Sequence, residues 1–223
     1  MPDKPPPRIA IYDMDRTITR SGTMSGFLLH VLARRQRWRA ALVPLTGIAG
    51  LAYAARLVDR RRLKAINLAL LVGRRFDSAQ IDALSADYAR RVVRRNLHAK
   101  ALEQIAADRA AGYRIVLATA SFRLYVMAIA RELGIDDVIA TNTVPGRARV
   151  AGPNCYGRDK RALIDAWLAQ QGIDPAAADI RAYSDHVSDA PMLELAARPV
   201  ATTPSAKLRR LARQRGWTVV DWR

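Results

Sequence analysis

Residues 8–17, Arg8-Ile-Ala-Ile-Tyr-Asp13-Met-Asp15-Arg16-Thr17, place two carboxylates one residue apart at the end of an apolar run. A buried strand ending there releases both acids into the cleft at its carboxyl edge. Strand side chains alternate faces, so Asp13 and Asp15 point the same way if extended geometry lasts two residues further, and close carboxylates attract a divalent cation. One acid of such a pair can attack phosphorus while the other moves protons. An aspartate pair after a strand can equally be a helix cap or a solvated turn, so its meaning depends on the rest of the chain.

Outward from this first strand, Arg8–Asp13, the next clear strand is Tyr113–Thr119, introduced by a helical run from Leu97 to Ala111 and a stop at Gly112. The interval from about Ser21 to Asn96 reads as helical throughout. After it come helix Arg123–Leu133, strand Asp137–Thr141, an irregular stretch rich in glycine and proline, and helix Asp159–Gln171. Strand Ile180–Ser184, helix Ser188–Ala196, strand Pro199–Thr203, helix Ser205–Arg215 and strand Trp217–Val220 complete the chain. Repeated strand–helix units predict an α/β fold, a parallel sheet with helices on both faces. Ligands of such sheets sit at the carboxyl ends of the strands, which here carry Asp13, Thr119 and Asp185.

Half of the 223 residues are apolar, enough for a sizeable core. The single cysteine, Cys155, excludes an intrachain disulfide and a cysteine-rich zinc site, and reads as a small buried or loop thiol in a reducing compartment. The polar, proline-rich start does not look like a signal peptide, which makes cytoplasmic residence the default. Net charge is +17, and between Arg34 and Arg95 fifteen Lys and Arg stand against four Asp and no Glu. Such a surface concentrates anions, whether nucleic acid, lipid headgroups or phosphorylated substrates, although an Arg- and Ala-rich composition can also reflect base composition.

Three further clusters lie at predicted strand ends. Thr119-Ala120-Ser121 offers hydroxyls and backbone N–H groups at a helix entry, an anion site or a simple N-cap. Lys160 falls in the first turn of a helix, where the dipole disfavours a cation unless an anion is near. Asp185 and Asp189 share one loop and resemble a hard-cation site. His186 in that loop reads as a residue shaping the pocket entrance, and His30 and His98 have no motif around them.

In order, an Asp-x-Asp-x-Thr strand end, a strand ending in Thr, a helix-entry Lys and an Asp-x-x-x-Asp loop resemble the four-motif series of the haloacid dehalogenase-like phosphatases. Gly152-Pro-Asn-Cys155-Tyr-Gly157-Arg-Asp-Lys160, and Pro199 to Pro204 through Leu211 to Trp217, look like the branch containing phosphoserine phosphatase and bacterial phosphatidylglycerophosphatases. The resemblance implies a Rossmann-like core, residues 1–20 and 97–223, with an inserted, strongly basic α-helical cap, residues 21–96. It implies Asp13 as nucleophile through an aspartyl-phosphate, Asp15 as general acid and base, Thr119 as a donor to a phosphoryl oxygen and Lys160 as charge balance. Ser121 and Arg16 are expected to bind substrate. Mg²⁺ is expected on Asp13, Asp15 through its backbone carbonyl, and Asp185, with Asp189 orienting Lys160 or a metal-bound water.

Departures from the best-known relatives bear on substrate. Ala120-Ser121 stands where they carry Gly-Gly, Ser184-Asp185-His186 where they carry Gly-Asp-Gly, and Arg20-Ser21-Gly22-Thr23 lacks the acid that would hold a serine ammonium. The expected substrate is therefore a phosphorylated lipid such as phosphatidylglycerophosphate, or else a soluble phosphorylated metabolite. A basic adaptor without catalysis is a third reading, and nucleic acid is not the favoured partner. Ala40–Val58, nearly all apolar between basic flanks, leaves open a helix buried within the cap, a peripheral contact with an anionic inner membrane and a true span.

Overall fold

A computed structural model describes residues 6–223; the start of the chain, residues 1–5, lies outside the described residues. Strand β1 (Arg8–Tyr12) is followed by an irregular turn, Met14–Ile18, and by helices α1 (Thr23–Arg35), α2 (Val43–Ala54), α3 (Arg60–Leu71), α4 (Ser78–Arg95) and α5 (Ala99–Ala110). Strand β2 (Arg114–Phe122), α6 (Arg123–Glu132), β3 (Asp137–Thr143), the two-residue β4 (Val150–Ala151) and α7 (Arg158–Gln170) come next. Strand β5 (Asp179–Ser184), α8 (Ala190–Leu193), β6 (Arg198–Thr202), α9 (Ala206–Arg215) and β7 (Thr218–Val220) close the chain. The sheet order is β4-β3-β2-β1-β5-β6-β7, parallel except for β4, which pairs antiparallel with β3 at one edge.

The apolar run of β1 makes it the central strand. Ile11 lies in register with Val116 of β2 on one side and with Ala182 of β5 on the other. Ala10 and Tyr12 enter the core layer beneath α5 and α6, whereas Ile9 and Ile11 enter the opposite layer beneath α7 and α9. Two buried faces explain why this strand reads as continuously hydrophobic. Asp13 therefore leaves the middle of the sheet, between the ends of β2 and β5.

Helix α4 begins at Asp77, whose carboxylate accepts from the Ala79 N–H at 2.9 Å. It buries Ile81, Ser85, Tyr88, Ala89 and Val92, a 3.6-residue stripe, against α6 and α1. The Tyr88 hydroxyl donates to the Thr23 carbonyl at 2.8 Å and lies 2.5 Å from where a Cβ on Gly26 would sit, so α1 approaches α4 only because residue 26 has no side chain. Helix α2 behaves differently. Of its twelve residues only Ala49 is buried, so the reading of Ala40–Val58 as a helix buried within the insertion is overturned. The reading as a span fails too, because no helix among the described residues is long and apolar enough to cross a membrane.

One buried acid ties the N-terminal helices to the sheet. Asp108 of α5, fully buried, accepts from the Tyr12 hydroxyl at 2.6 Å, the Tyr183 hydroxyl at 2.9 Å and Arg181 at 2.5 Å. Tyr12 and Tyr183 stack at 4.3 Å across β1 and β5. Asp108→Ala would strand a guanidinium and two hydroxyls in the interior and is expected to cost about 3–5 kcal/mol, read as a lower denaturant midpoint in urea unfolding.

Candidate active site

Strand β1 ends at Tyr12, and the turn after it separates the two acids that open the motif. Asp13 remains extended (φ −68°, ψ 158°), but Arg16 takes φ +66°, a left-handed conformation that reverses the chain. Asp13 and Asp15 both line one cavity, in keeping with the alternation, but their carboxylates take different partners. Asp13 faces Lys160, whose Nζ donates to its Oδ1 at 2.8 Å, and accepts at Oδ2 from the Thr17 hydroxyl at 3.2 Å. Asp15 turns towards the inserted helices, accepting from the Thr23 N–H at 2.7 Å and the Ser121 hydroxyl at 2.6 Å.

Lys160 sits in the first turn of α7, where its ammonium would be unfavourable without anions. It is 1 % exposed and bridges two: Asp13, and Asp189 Oδ2 at 2.8 Å. Asp189 also accepts from the Ser184 hydroxyl at 2.8 Å, while its Oδ1 is buried with no hydrogen-bond partner. Thr17 links the first and last motifs by accepting from the Asp185 N–H at 3.1 Å while reaching Asp13. Three buried carboxylates, Asp13, Asp185 and Asp189, thus surround one buried ammonium. Burial, with Asp189 adding to it, pushes the Asp13 carboxyl up to about 7 even against Lys160, and burial with Asp189 pushes Asp185 up to about 6. Lys160 is raised as well. Burial alone would lower it, but Asp13 and Asp189 hold it above the ordinary lysine range.

The second motif lies differently from its predicted form. β2 runs on to Phe122, with a register shift between Thr119 and Phe122, and α6 starts only at Arg123 with no side-chain cap. Neither Thr119 nor Ser121 is a helix N-cap. The Thr119 hydroxyl accepts from the Ser121 N–H at 3.1 Å, which leaves its own proton free to donate into the cavity. That cavity, of about 450 Å³, is lined by all eight residues singled out in the sequence: Asp13, Asp15, Arg16, Thr119, Ser121, Lys160, Asp185 and Asp189. His186 lies at its rim, as expected, and its Nδ1 accepts from the Ser188 N–H at 3.2 Å. Cys155 is a buried free thiol, and His30 and His98 do not line the cavity.

The donor set suits a hard divalent cation, because the acids gathered here, Asp13, Asp15, Asp185 and Asp189, offer only oxygen. Among the described residues no three acidic, His or Cys side chains form a metal cluster, so two carboxylates at most could hold the ion. The Asp15 carboxylate has other partners, which leaves its carbonyl for that purpose. Asp189 is engaged by Lys160 and Ser184, and its one unpartnered oxygen is suited to a metal-bound water.

Lys64 went unnoticed in the sequence beyond its place in the basic run. It projects from α3, is 5 % exposed, and donates to the Ala120 carbonyl, to Asn154 Oδ1 at 2.7 Å and to Thr141 Oγ1 at 3.3 Å. Burial, and next Arg60, push its ammonium down to about 8. A partial signal was available: Arg60, Arg61 and Arg62 crowd the first turn of α3, where the helix dipole asks for an anion, as Lys160 does that of α7, and Lys64 follows in the next turn. Arg60, over the Tyr156 ring at 4.2 Å, and Lys64 both line the cavity.

A model of the haloacid dehalogenase-like hydrolases matches residues 10–194. A probable phosphatase of Mycobacterium tuberculosis is 28% identical over 96% of this chain and 75% of its own length. A crystal structure of a protein of unknown function from Bordetella pertussis Tohama I superposes with a TM-score of 0.85 at 28% identity, covering 98% of this chain and 100% of that one. A phosphoserine phosphatase, solved as an analogue of its phospho-aspartyl intermediate, shares the fold at a TM-score of 0.63 and 16% identity, over 98% of this chain and 94% of its own.

Asp185 is raised by burial and like charge, so in metal-free protein its ionised form opposes folding. The penalty is complete above about pH 6 and fades as pH falls towards the ordinary carboxyl value of 3.8. In chelator-treated protein at pH 8, Asp185→Asn should therefore raise stability by about 2 kcal/mol, with little gain at pH 4, measured by urea unfolding at the two pH values.

Proposed function

The chain belongs to the haloacid dehalogenase-like hydrolases, and from that premise we propose that it is a Mg²⁺-dependent phosphomonoester hydrolase working through an aspartyl-phosphate. The observation that carries this reading is the Lys160 bridge, 2.8 Å to Asp13 and 2.8 Å to Asp189, which holds a buried carboxylate at a cavity that the Thr119 hydroxyl also lines. We read residues 21–96 as a cap over a core made of 1–20 and 97–223.

In this reading Asp13 attacks phosphorus in line. Its oxygen forms the new P–O bond as the ester P–O bond breaks. Asp15, on the side facing the inserted helices, gives its proton to the departing oxygen, then takes one from the water that attacks the phosphoryl group, which leaves as inorganic phosphate. Ser121 and the Thr23 N–H hold the Asp15 carboxylate in place. Lys160 and the Thr119 hydroxyl offset charge on the phosphoryl oxygens, and Arg16 at the cavity wall adds to the attraction for the anion. Mg²⁺ held by Asp13, Asp185 and the Asp15 carbonyl would neutralise charge on the phosphoryl group and on the crowded carboxylates.

The substrate follows from the cavity wall. Beyond the four aspartates no acidic side chain of the described residues lines it, so nothing is placed to hold an ammonium, and Arg60, Lys64, Tyr53, Tyr156, Met24 and Leu63 favour an anionic or amphiphilic ester. The completeness of the buried charge cluster speaks against a non-catalytic adaptor.

Asp13→Asn is expected to reduce phosphate release from p-nitrophenyl phosphate by about three orders of magnitude or more in protein with an unchanged circular dichroism spectrum. Asp15→Asn should cost about 10²–10⁴-fold, with the larger loss on alkyl phosphates, whose poor leaving oxygens need the proton; kcat for aryl and alkyl substrates measures the difference. Chelation should abolish turnover of the wild-type protein and added Mg²⁺ should restore it, checked by phosphate release before and after metal addition.

A further inference from the structure

Helix α2 carries no charged residue, yet it lies almost wholly in water. Leu45, Ile48 and Leu51, at three-residue spacing, are 43 %, 61 % and 72 % exposed, and Trp38 before the helix and Leu57 after it are 65 % and 76 % exposed. Contiguous exposed apolar surface of this kind marks a docking face. Its surroundings are mainly basic. From Arg34 to Val58 there is no acidic residue, and Arg37, Arg56, Arg61 and Arg62 are exposed before and after the helix, with Asp59 as the one acid among them and Arg34 paired with Asp87.

We propose that this face docks on an anionic lipid bilayer, with α2 lying in the interfacial plane, its apolar flank among the acyl chains and the arginines at the headgroup phosphates. Charge complementarity selects this occupant. A second copy would bring two arginine rims together, and a nucleic acid would match the rim while leaving the leucine and isoleucine side chains uncovered. The helix is about 18 Å long, too short for a hydrocarbon core of about 30 Å, which suits a helix lying flat rather than crossing.

The same helix reaches the site from its other flank. Tyr53 of α2 and Arg60, Leu63 and Lys64 of α3 line the cavity that holds Asp13, so docking holds the cavity close to the bilayer surface. Resting on the phosphomonoesterase reading, this assigns the substrate to lipids with a phosphate monoester headgroup.

The test uses the full chain, its Ile48→Glu/Leu51→Glu variant and, as a milder form, Ile48→Ala/Leu51→Ala. Co-sedimentation is measured with phosphatidylcholine vesicles with and without phosphatidylglycerol, at low and high salt. Binding should require the anionic lipid, weaken with salt, fall at least about tenfold in the Glu variant and fall by less in the Ala variant. Hydrolysis of p-nitrophenyl phosphate should be unchanged in both variants, whereas hydrolysis of phosphatidic acid embedded in vesicles should drop with binding. Equal binding by the Glu variant, no dependence on anionic lipid, or a self-association abolished by the Glu change without vesicle binding would overturn the proposal, as would binding to RNA with none to vesicles. Asp13→Asn separates the two readings: it should bind vesicles like the wild type, and if it also kept hydrolysing aryl phosphate, catalysis by Asp13 would fail while docking stood.

Discussion

The structure depends on one buried ammonium held between two carboxylates. Taking Lys160 out of water is costly, and the cost is met only because Asp13 and Asp189 stand 2.8 Å away on either side. That requirement fixes three elements at once: the end of β1, the first turn of α7 and the loop after β5. The bridge leaves Asp185, a third buried acid, outside the Lys160 pair. A site with surplus negative charge and only oxygen donors is one a divalent cation and a phosphoryl group can complete together.

The inserted helices supply the other half of the arrangement. The Asp15 carboxylate is held by the Thr23 N–H at the start of α1 and by the Ser121 hydroxyl, so the first motif meets both the core and the inserted helices. Lys64 reaches down from α3 to the Ala120 carbonyl and Asn154 and ties the insertion to the ends of β2 and β3. Burial depresses this second ammonium, whereas the two aspartates beside Lys160 raise the first. Two lysines in one cavity thus differ in chemistry through their neighbours alone.

The core was legible because its signals are local and repeated. Apolar strands ending in Asp13, Thr119 and Asp185 each meet the sheet at the same edge, and the misplaced Lys160 pointed to an anion before any contact was known. Residues that depend on tertiary contacts were harder to read. β2 extends through Ala120 and Ser121, with a register shift against β3, and so puts strand where a helix cap was expected. β4 is held by only two residue pairs and has no sequence signature. Asp13 and Asp15 do line one cavity, but the left-handed backbone at Arg16 that turns the chain after them has no sign in an alternation rule. The burial of α2 was misread because an apolar stretch does not reveal whether protein covers it, and Lys64 was hidden among neighbouring arginines.

The proposed mechanism makes an Asp13 oxygen the atom that bonds to phosphorus, and that claim can be read directly. Wild-type protein turning over a phosphomonoester with Mg²⁺ is quenched, treated with borohydride to reduce any acyl phosphate, and digested for peptide mass spectrometry. The account predicts homoserine at position 13 and nowhere else. An unmodified Asp13 under conditions of steady turnover, or a reduced carboxyl at Asp15, Asp185 or Asp189, would contradict it.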